Sequence, residues 1–494
     1  MDIKLSFAKK SSMEGDLAIL LKTNFSDVTG LPSVDLKGVV ARAAAIKNFT
    51  GESRSSLNIL VPESCPFDRL VVLGIGDPAK DKNFSWLKEG GNAASYLEGS
   101  KKVEIFIDAP GCSVTEKEVR DFALGFKLRS YAFDRYKTKK ARDVRDSSEK
   151  NISVTIVTKV SDETGKSLED IKAVVDGVNL ARDIVNEPAN VLGTVEFCEK
   201  AKQLESLGIE VEILDRDAMD KLGMKSLLGV SQGSVRPPYL VAMKWNGGKK
   251  ADLPLAFVGK GVVFDSGGIS IKPSASMEEM KGDCGGAAAV IGSLCALATR
   301  KAKANVVGIL ALVENMPDAA AQRPGDIVKS MSGQTIEIIN TDAEGRLILA
   351  DALWYCHTHY KPRLMIDLAT LTGAILVSLG SVYAGLFSND DVLSQQLVSA
   401  GLSTEELVWR MPMNKAYDKF LESKFADMKN IGGRLAGSIV AAQFLEKFVA
   451  EVPWAHIDIA GTAMGKEPDE INQSWASGFG VRLLNEFVRV CYEA

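Results

Sequence analysis

At 494 residues the chain is longer than one ordinary core accommodates, so two domains are expected. Its composition, 46% hydrophobic and 25% charged, is that of a globular protein, and a net charge of −5 gives no footing for general polyanion binding. Seven scattered cysteines with no CxxC pair argue for a reducing compartment, against a disulfide framework and against a thiolate zinc centre.

The opening stretch MDIKLSFAKKSSMEGD is charged at positions 2, 4, 9 and 10 and has no apolar h-region, so no signal peptide is read and a cytoplasmic location is expected. Up to residue 166, the runs LNILVP, RLVVLGIG, VEIFIDA and ISVTIVT read as buried strands. Trp86–Leu97 and Glu116–Arg129 have helical spacing, which makes this region a small α/β domain. The sequence GIG at 74–76 lacks the third glycine of a nucleotide loop and reads as a strand-end turn. The basic run RYKTKKARDVR (135–145) is broken by Asp143, which favours a solvated hinge over a nucleic-acid contact.

Residues 167–185 place Ile171, Val174, Val175 and Val178 at helical spacing and predict a connecting helix. That helix should stop before NEPAN (186–190), because Pro188 disfavours an α conformation at Glu187. A larger second domain, 186–494, repeats the alternation. Strands are expected at 211–215, 239–245, 255–261, 304–313, 335–340, 364–370 and 456–461, and helices at Gly285–Arg300, Gly345–His359 and Gly437–Phe448. The fold class is therefore α/β: two domains, each a mixed or mostly parallel sheet flanked by helices. The uncharged stretch Leu368–Asn389 contains three glycines between strand signals and reads as buried core, not a membrane span.

Two segments of the second domain concentrate the chemistry. VGKGVVFDSGGISIKPSASMEEMKGD (258–283) and NTDAEGR (340–346) supply Lys260, Asp265, Lys272, Asp283, Asp342, Glu344 and Arg346 within about ninety residues. Four carboxylates in one cleft would repel one another unless divalent cations neutralised them, so the set asks for metal. Lys260, Asp342 and Leu371 fall at or near the ends of predicted strands, where open α/β sheets bind ligands. The bland readings are a helix cap for Asp283 and a salt bridge for Lys260. With only His357, His359 and His456 in the chain, a His-rich zinc site is disfavoured and oxygen ligands must dominate, which suits Zn, Mn, Co or Mg. His357 and His359 read as exposed, His456 as a satisfied core residue, and Cys284 as a packing residue with no histidine to activate it.

VGKGVVFDSGG followed by NTDAEGRL resembles the leucyl aminopeptidase family, the two-metal cytosol aminopeptidases. The likeness extends over NEPAN (186–190), DLATLTG (367–373), DMKNIGG (427–433) and HIDIAG (456–461), and so over roughly the last three hundred residues; the first 165 or so match only in layout. The resemblance implies a peptide hydrolase that removes N-terminal residues, Leu-like ones preferred. It implies that Lys260, Asp265, Asp283, Asp342 and Glu344 hold two divalent metals, with Asp265 and Glu344 bridging. Lys272 is then the oxyanion partner, Arg346 the holder of a (bi)carbonate base, and Met280, Thr370, Leu371 and Gly373 the substrate pocket. It also implies a homohexamer and peptide partners. Another two-metal hydrolase, such as a phosphoesterase, and a DNA-architectural protein with a vestigial site are the alternatives. Such hydrolases use more histidine than this chain offers, and a decayed site should have lost some of the seven polar residues.

Overall fold

The computed structural model describes residues 2–24, 38–60, 65–108, 112–138, 151–465 and 467–493. The C-terminal half of the basic run, from 139 to 145, lies outside them. The chain forms two compact units, one of residues 1–175 together with 468–474, the other of 176–467 and 475–494. The predicted connecting helix runs from Leu168 to Asn186, and the units divide within it.

The first unit holds a six-stranded sheet: β1 (Asp2–Ala8), β2 (Gly15–Thr23), β3 (Ser56–Leu60), β4 (Phe67–Gly76), β5 (Lys102–Phe106) and β6 (Asn151–Val157). Their order is β1-β6-β5-β2-β4-β3, parallel except for the β3 edge. The expected strands β3 to β6 are present. β1 and β2 lie outside the expected strands, although Ile3, Leu5 and Phe7 alternate along β1 and LAILL runs unbroken through β2. Helices form at Trp86–Ala94 and Glu116–Arg129, the latter with the Thr115/Glu118 capping box.

The second unit is built on an eight-stranded sheet. Its strands in chain order are β7 (Glu210–Leu214), β8 (Tyr239–Asn246), β9 (Leu255–Asp265), β10 (Asn305–Asn315), β13 (Leu364–Ala369), β14 (Ala384–Ser388), β15 (Val408–Arg410) and β17 (Trp454–Asp458). The spatial order is β15-β14-β17-β13-β9-β10-β8-β7, and the central four, β17, β13, β9 and β10, are mutually parallel. Such strands are covered on both faces, which is why they read as unbroken apolar runs. A three-stranded sheet joins β11 (Ile327–Lys329), β12 (Thr335–Glu337) and β16 (Met428–Lys429). β12 is shorter than the strand expected over 335–340, because the chain turns early toward Asn340–Asp342.

Alternation along β9 assigns its two faces. Gly259 lies under Ala287 of the helix Gly285–Thr299, whereas Ala256 and Val258 share a core with Leu347–Leu353 of the helix Glu344–Tyr360. Lys260 follows the second pattern and so faces the helix that begins with Glu344. The stretch Met277–Thr299 is long and apolar enough to cross a membrane, but 94% of its apolar window is buried inside the protein. Leu368–Asn389, the other candidate span, is divided among β13, the helix Gly373–Leu379 and β14.

The GGAAAV start of the Gly285–Thr299 helix allows it to lie directly on the sheet. A Cβ at Gly286 would stand 1.9 Å from the Leu368 carbonyl oxygen, which is backbone and cannot swing away. Gly286→Ala should therefore lower stability by about 1–3 kcal/mol, the usual cost of overpacking, although alanine is the better helix former. A lower denaturant midpoint at an unchanged m-value is the expected result.

Candidate active site

β9 ends at Asp265, beyond the expected 261, so Lys260 stands mid-strand and Asp265 at its carboxyl end. A register shift between Val313 and Asn315 brings Asn315 opposite Asp265. The Asn315 amide then donates to Asp265 Oδ1 at 2.8 Å, as does the Gly267 N–H at 3.0 Å. The following turn needs left-handed backbone, with φ of 89° at Gly267 and 66° at Gly268, which the two glycines of DSGG allow. Thr341 stitches this turn to NTDAEGR: its hydroxyl donates to Gly267 O (2.6 Å) and accepts from Ser270 N (2.8 Å).

The sequence-predicted polar residues converge. Lys260 Nζ lies 2.9 Å from Asp283 Oδ1 and 2.8 Å from Glu344 Oε1, and donates to the Thr370 carbonyl at 2.9 Å. Lys272 Nζ lies 2.8 Å from Asp265 Oδ2 and also pairs with Asp342. Asp265, Asp342 and Glu344 each offer a carboxylate oxygen within 4.8 Å of the others. The inner half, Lys260, Asp283 and Glu344, is buried; the outer half opens to solvent, with the Lys272 and Asp342 side chains 20% and 30% exposed. Asp283 does not cap the helix after it: Cys284 is the cap residue, and the Asp283 carboxylate receives the Thr370 hydroxyl at 2.6 Å instead. The Lys260 salt bridge is formed, and to two acids.

Gly345 has a steric reason. A Cβ there would stand 2.8 Å from Lys260 Cδ and 2.9 Å from its Nζ, so glycine gives the lysine room to cross the first turn of the helix without shifting. Arg346, next in the chain, is buried and donates from Nη1 to the Asn430 carbonyl at 2.8 Å. Met280 stands three residues before Asp283, whose N–H its carbonyl accepts at 3.3 Å. Leu371 and Thr372 follow β13 and are held by Asp458 (3.0 and 2.7 Å), while Gly373 is exposed at the start of its helix.

The electrostatics are those of crowded acids. Burial, reinforced by Glu344 and Asp283, pushes the Asp265 carboxyl well above its usual range. Burial likewise lifts Asp283, to about 6, and raises Asp342. Glu344 goes the other way: burial alone would raise it, but Lys260 and Lys272 together hold it below the usual carboxylate value. Burial opposes the charge on Lys260, yet Asp283, Glu344 and Asp265 outweigh it and keep the ammonium protonated. Lys272 is raised in the same sense, and burial brings the Arg346 guanidinium down to about 10.

Four carboxylates thus face two ammonium groups, and the excess negative charge leaves oxygens without partners. Among the described residues Asp283 Oδ2 and Glu344 Oε2 are buried with no hydrogen bond, as is Arg346 Nε. Oxygen-rich, net-negative and incompletely satisfied, this donor set fits hard or borderline divalent cations. The orphaned guanidinium nitrogen fits an anion. The remaining histidines stand apart from this set: His359 is exposed, His357 is half-buried, and His456 is fully buried with Nδ1 2.6 Å from Asp367 Oδ1. Its Nε2 has no partner among the described residues, so the core histidine is satisfied on one side only. Cys284 is buried with its thiol pushed up to about 12, which makes it an inert packing group.

The fold and this cluster define a two-domain α/β protein with an acid-rich group suited to divalent cations. The catalytic-domain profile of the cytosol aminopeptidase family matches residues 179–485, and the family's N-terminal-domain profile matches 26–140. A probable cytosol aminopeptidase of Rhizobium johnstonii is 61% identical over 497 residues, covering 100% of both chains, and that of Rhizobium meliloti is 58% identical, also over 100% of both. Among solved structures, a tomato leucine aminopeptidase mutant superposes with a TM-score of 0.85 at 33% identity, covering 99% of this chain and 96% of its own. The bottromycin maturation enzyme BotP in complex with Mn gives 0.85 at 30% identity, over 96% of this chain and 99% of its own. The chain belongs to the cytosol aminopeptidase family. It is accordingly a peptidase, a metal-dependent aminopeptidase of a family that relies on divalent cations.

Gly345→Ala isolates the Lys260 geometry. Alanine suits a helix, and the clash falls on a side-chain end, so the melting temperature should be at or above that of wild type. Divalent-metal retention after dialysis should nevertheless fall, and amidase activity with it. Unchanged metal content and activity would show that the close crossing is dispensable.

Proposed function

We propose that this enzyme removes single N-terminal residues, Leu-like ones preferred, from peptides, using two divalent ions held by Lys260, Asp265, Asp283, Asp342 and Glu344. The observation that carries this reading is the pair of buried carboxylate oxygens without partners, Asp283 Oδ2 and Glu344 Oε2, inside a cluster with more acids than bases. Asp265 and Glu344 belong to the close carboxylate group together with Asp342 and would share in holding the ions. Zn or Mn suits these donors, with Mg and Co also compatible, and the Mn in the BotP complex supports the second. Bound there, the pair of cations supplies an acidified water and a polarised scissile carbonyl.

The chain's own groups do the rest. Lys272, on the solvent side, presents an ammonium to the charge that develops on the carbonyl oxygen. Arg346, anchored at Nη1 by Asn430, keeps Nε for a planar anion, and a bicarbonate held there serves as the base that the side chains themselves do not provide. Lys260 would act as a ligand only as the neutral amine, and divalent charge beside Asp283 and Glu344 would take the place of the proton that these acids now favour. Met280, Thr370, Leu371 and Gly373 contribute the side-chain pocket; a flexible methionine suits broad acceptance of apolar residues. A homohexamer acting on peptides in the cytoplasm completes the reading, and full-length likeness to the cytosol aminopeptidases supports the peptide substrates.

A leucine chromogenic amide and its N-acetylated counterpart test the activity together. The free amide should be cleaved, chelation should abolish turnover, added Mn or Zn should restore it, and the acetylated amide should be nearly inert. Equal rates on the two substrates would indicate an endopeptidase or esterase, and full activity in metal-free protein would remove the mechanism.

The two lysines should separate. Lys272→Ala is expected to lower kcat by about a hundred- to a thousand-fold, the range for a single oxyanion donor, with KM and metal content little changed. Lys260→Ala should release or loosen one metal, with partial recovery in excess metal. Metal analysis beside kinetics decides; if Lys272→Ala loses metal while Lys260→Ala keeps two, the roles are reversed.

A further inference from the structure

One buried carboxylate near the site is used by none of the roles above. Asp458, fully buried, closes β17. Its Oδ1 accepts the N–H of Leu371 at 3.0 Å and of Ala460 at 3.3 Å, and its Oδ2 accepts the Thr372 hydroxyl at 2.7 Å. Thr372 in turn caps the helix Gly373–Leu379 by accepting the Ile375 N–H at 3.2 Å. Two residues earlier, Thr370 gives its carbonyl to Lys260 and its hydroxyl to Asp283. The turn 370–373 is therefore fastened at one end to the acid cluster and at the other to Asp458.

The surroundings act on that second fastening in opposing directions. Burial pushes the Asp458 carboxyl up, and His456, two residues back on the same face of β17, works against this. His456 is itself paired with Asp367, whose other oxygen accepts the Trp454 indole N–H at 2.7 Å. On the other side Asp458 offsets part of the effect of burial on Arg346. No bond from Asp458 to an assigned metal ligand occurs among the described residues. Its three hydrogen bonds end on the chain that carries the substrate pocket and on Ala460.

We propose that Asp458 is a positioning residue for the substrate: by fixing Leu371 and Thr372 it sets the wall against which the N-terminal side chain packs, and thereby the preference for Leu-like over small residues. This rests on the aminopeptidase reading. A carboxylate that only stabilised the fold would leave selectivity alone, whereas one that sets this wall must move the ratio between substrates of different size.

The test compares leucine and alanine chromogenic amides on the metal-loaded wild type and on Asp458→Asn, Asp458→Ala and Thr372→Val. Asp458→Asn still offers an oxygen to Leu371 and should hold the Leu/Ala ratio of kcat/KM within about threefold of wild type. Asp458→Ala should compress the ratio by about tenfold, within the range a pocket wall controls, mainly through a higher KM for the leucine amide. Metal content should match wild type in every variant. Should Asp458→Ala fail to fold, Thr372→Val, which removes one of the three bonds, should still compress the ratio by about threefold. An unchanged ratio in whichever of these two variants folds overturns the proposal, as does a fall confined to kcat with loss of metal. A wild type that cleaves neither amide would remove the aminopeptidase reading and the proposal with it, whereas an active wild type with unaltered variants removes the proposal alone.

Discussion

Charge neutrality in a buried space governs this molecule. Asp283 and Glu344 are nearly sealed from water around one ammonium group, and Asp265 is sealed beside a second. Isolated charges in such an interior are costly, and a carboxylate that finds no cation takes up a proton instead. Burial accordingly pushes Asp265 and Asp283 upward, while Glu344, closest to the combined field of the lysines, stays ionised. A divalent cation relieves this arrangement, so affinity for metal follows from the imbalance that the fold maintains.

Maintaining that imbalance takes a rigid frame. The central parallel strands fix Lys260 and Asp265 on one element, and the glycine-rich helix lies on the opposite face without intervening side chains. Around the acids runs a layer of neutral polar groups. Asn315 and Thr341 tie the two motifs together, and Asn430 receives Nη1 of Arg346 on its carbonyl while its side chain bonds Ile339 N and Asn340 O. Each such bond is worth only about 1 kcal/mol, but together they restrict the acids to positions they would otherwise leave by repulsion.

Most of the architecture was legible because apolar runs and helical spacing are local signals. The strand–helix alternation, the helix ending at Asn186 and the acids of the two motifs are all visible in the residues themselves. What escaped has physical reasons. β12 is cut short by the turn that delivers Asp342. Asn315 is an ordinary asparagine at the end of an apolar strand until a bulge in the ladder turns it onto Asp265. Asn430 and Asp458 sit inside quoted motifs, DMKNIGG and HIDIAG, but their work depends on pairing across the fold that spacing does not reveal. Gly345 could be read as a turn residue; only the path of Lys260 shows that it is there to make room.

The grouping of residues 468–474 with the first compact unit has a topological consequence. The chain passes between the units three times, first within the Leu168–Asn186 helix and then on either side of this short segment. Within the first unit Arg54 pairs with Glu470 at 2.9 Å, and Arg129 donates to the Asp469 carbonyl at 2.7 Å. A ribosome that has finished residues 1–175 has therefore not yet made all of that unit, whose last piece emerges almost three hundred residues later. Completion of the N-terminal unit is thus a late event in synthesis, tied to the arrival of the C-terminus.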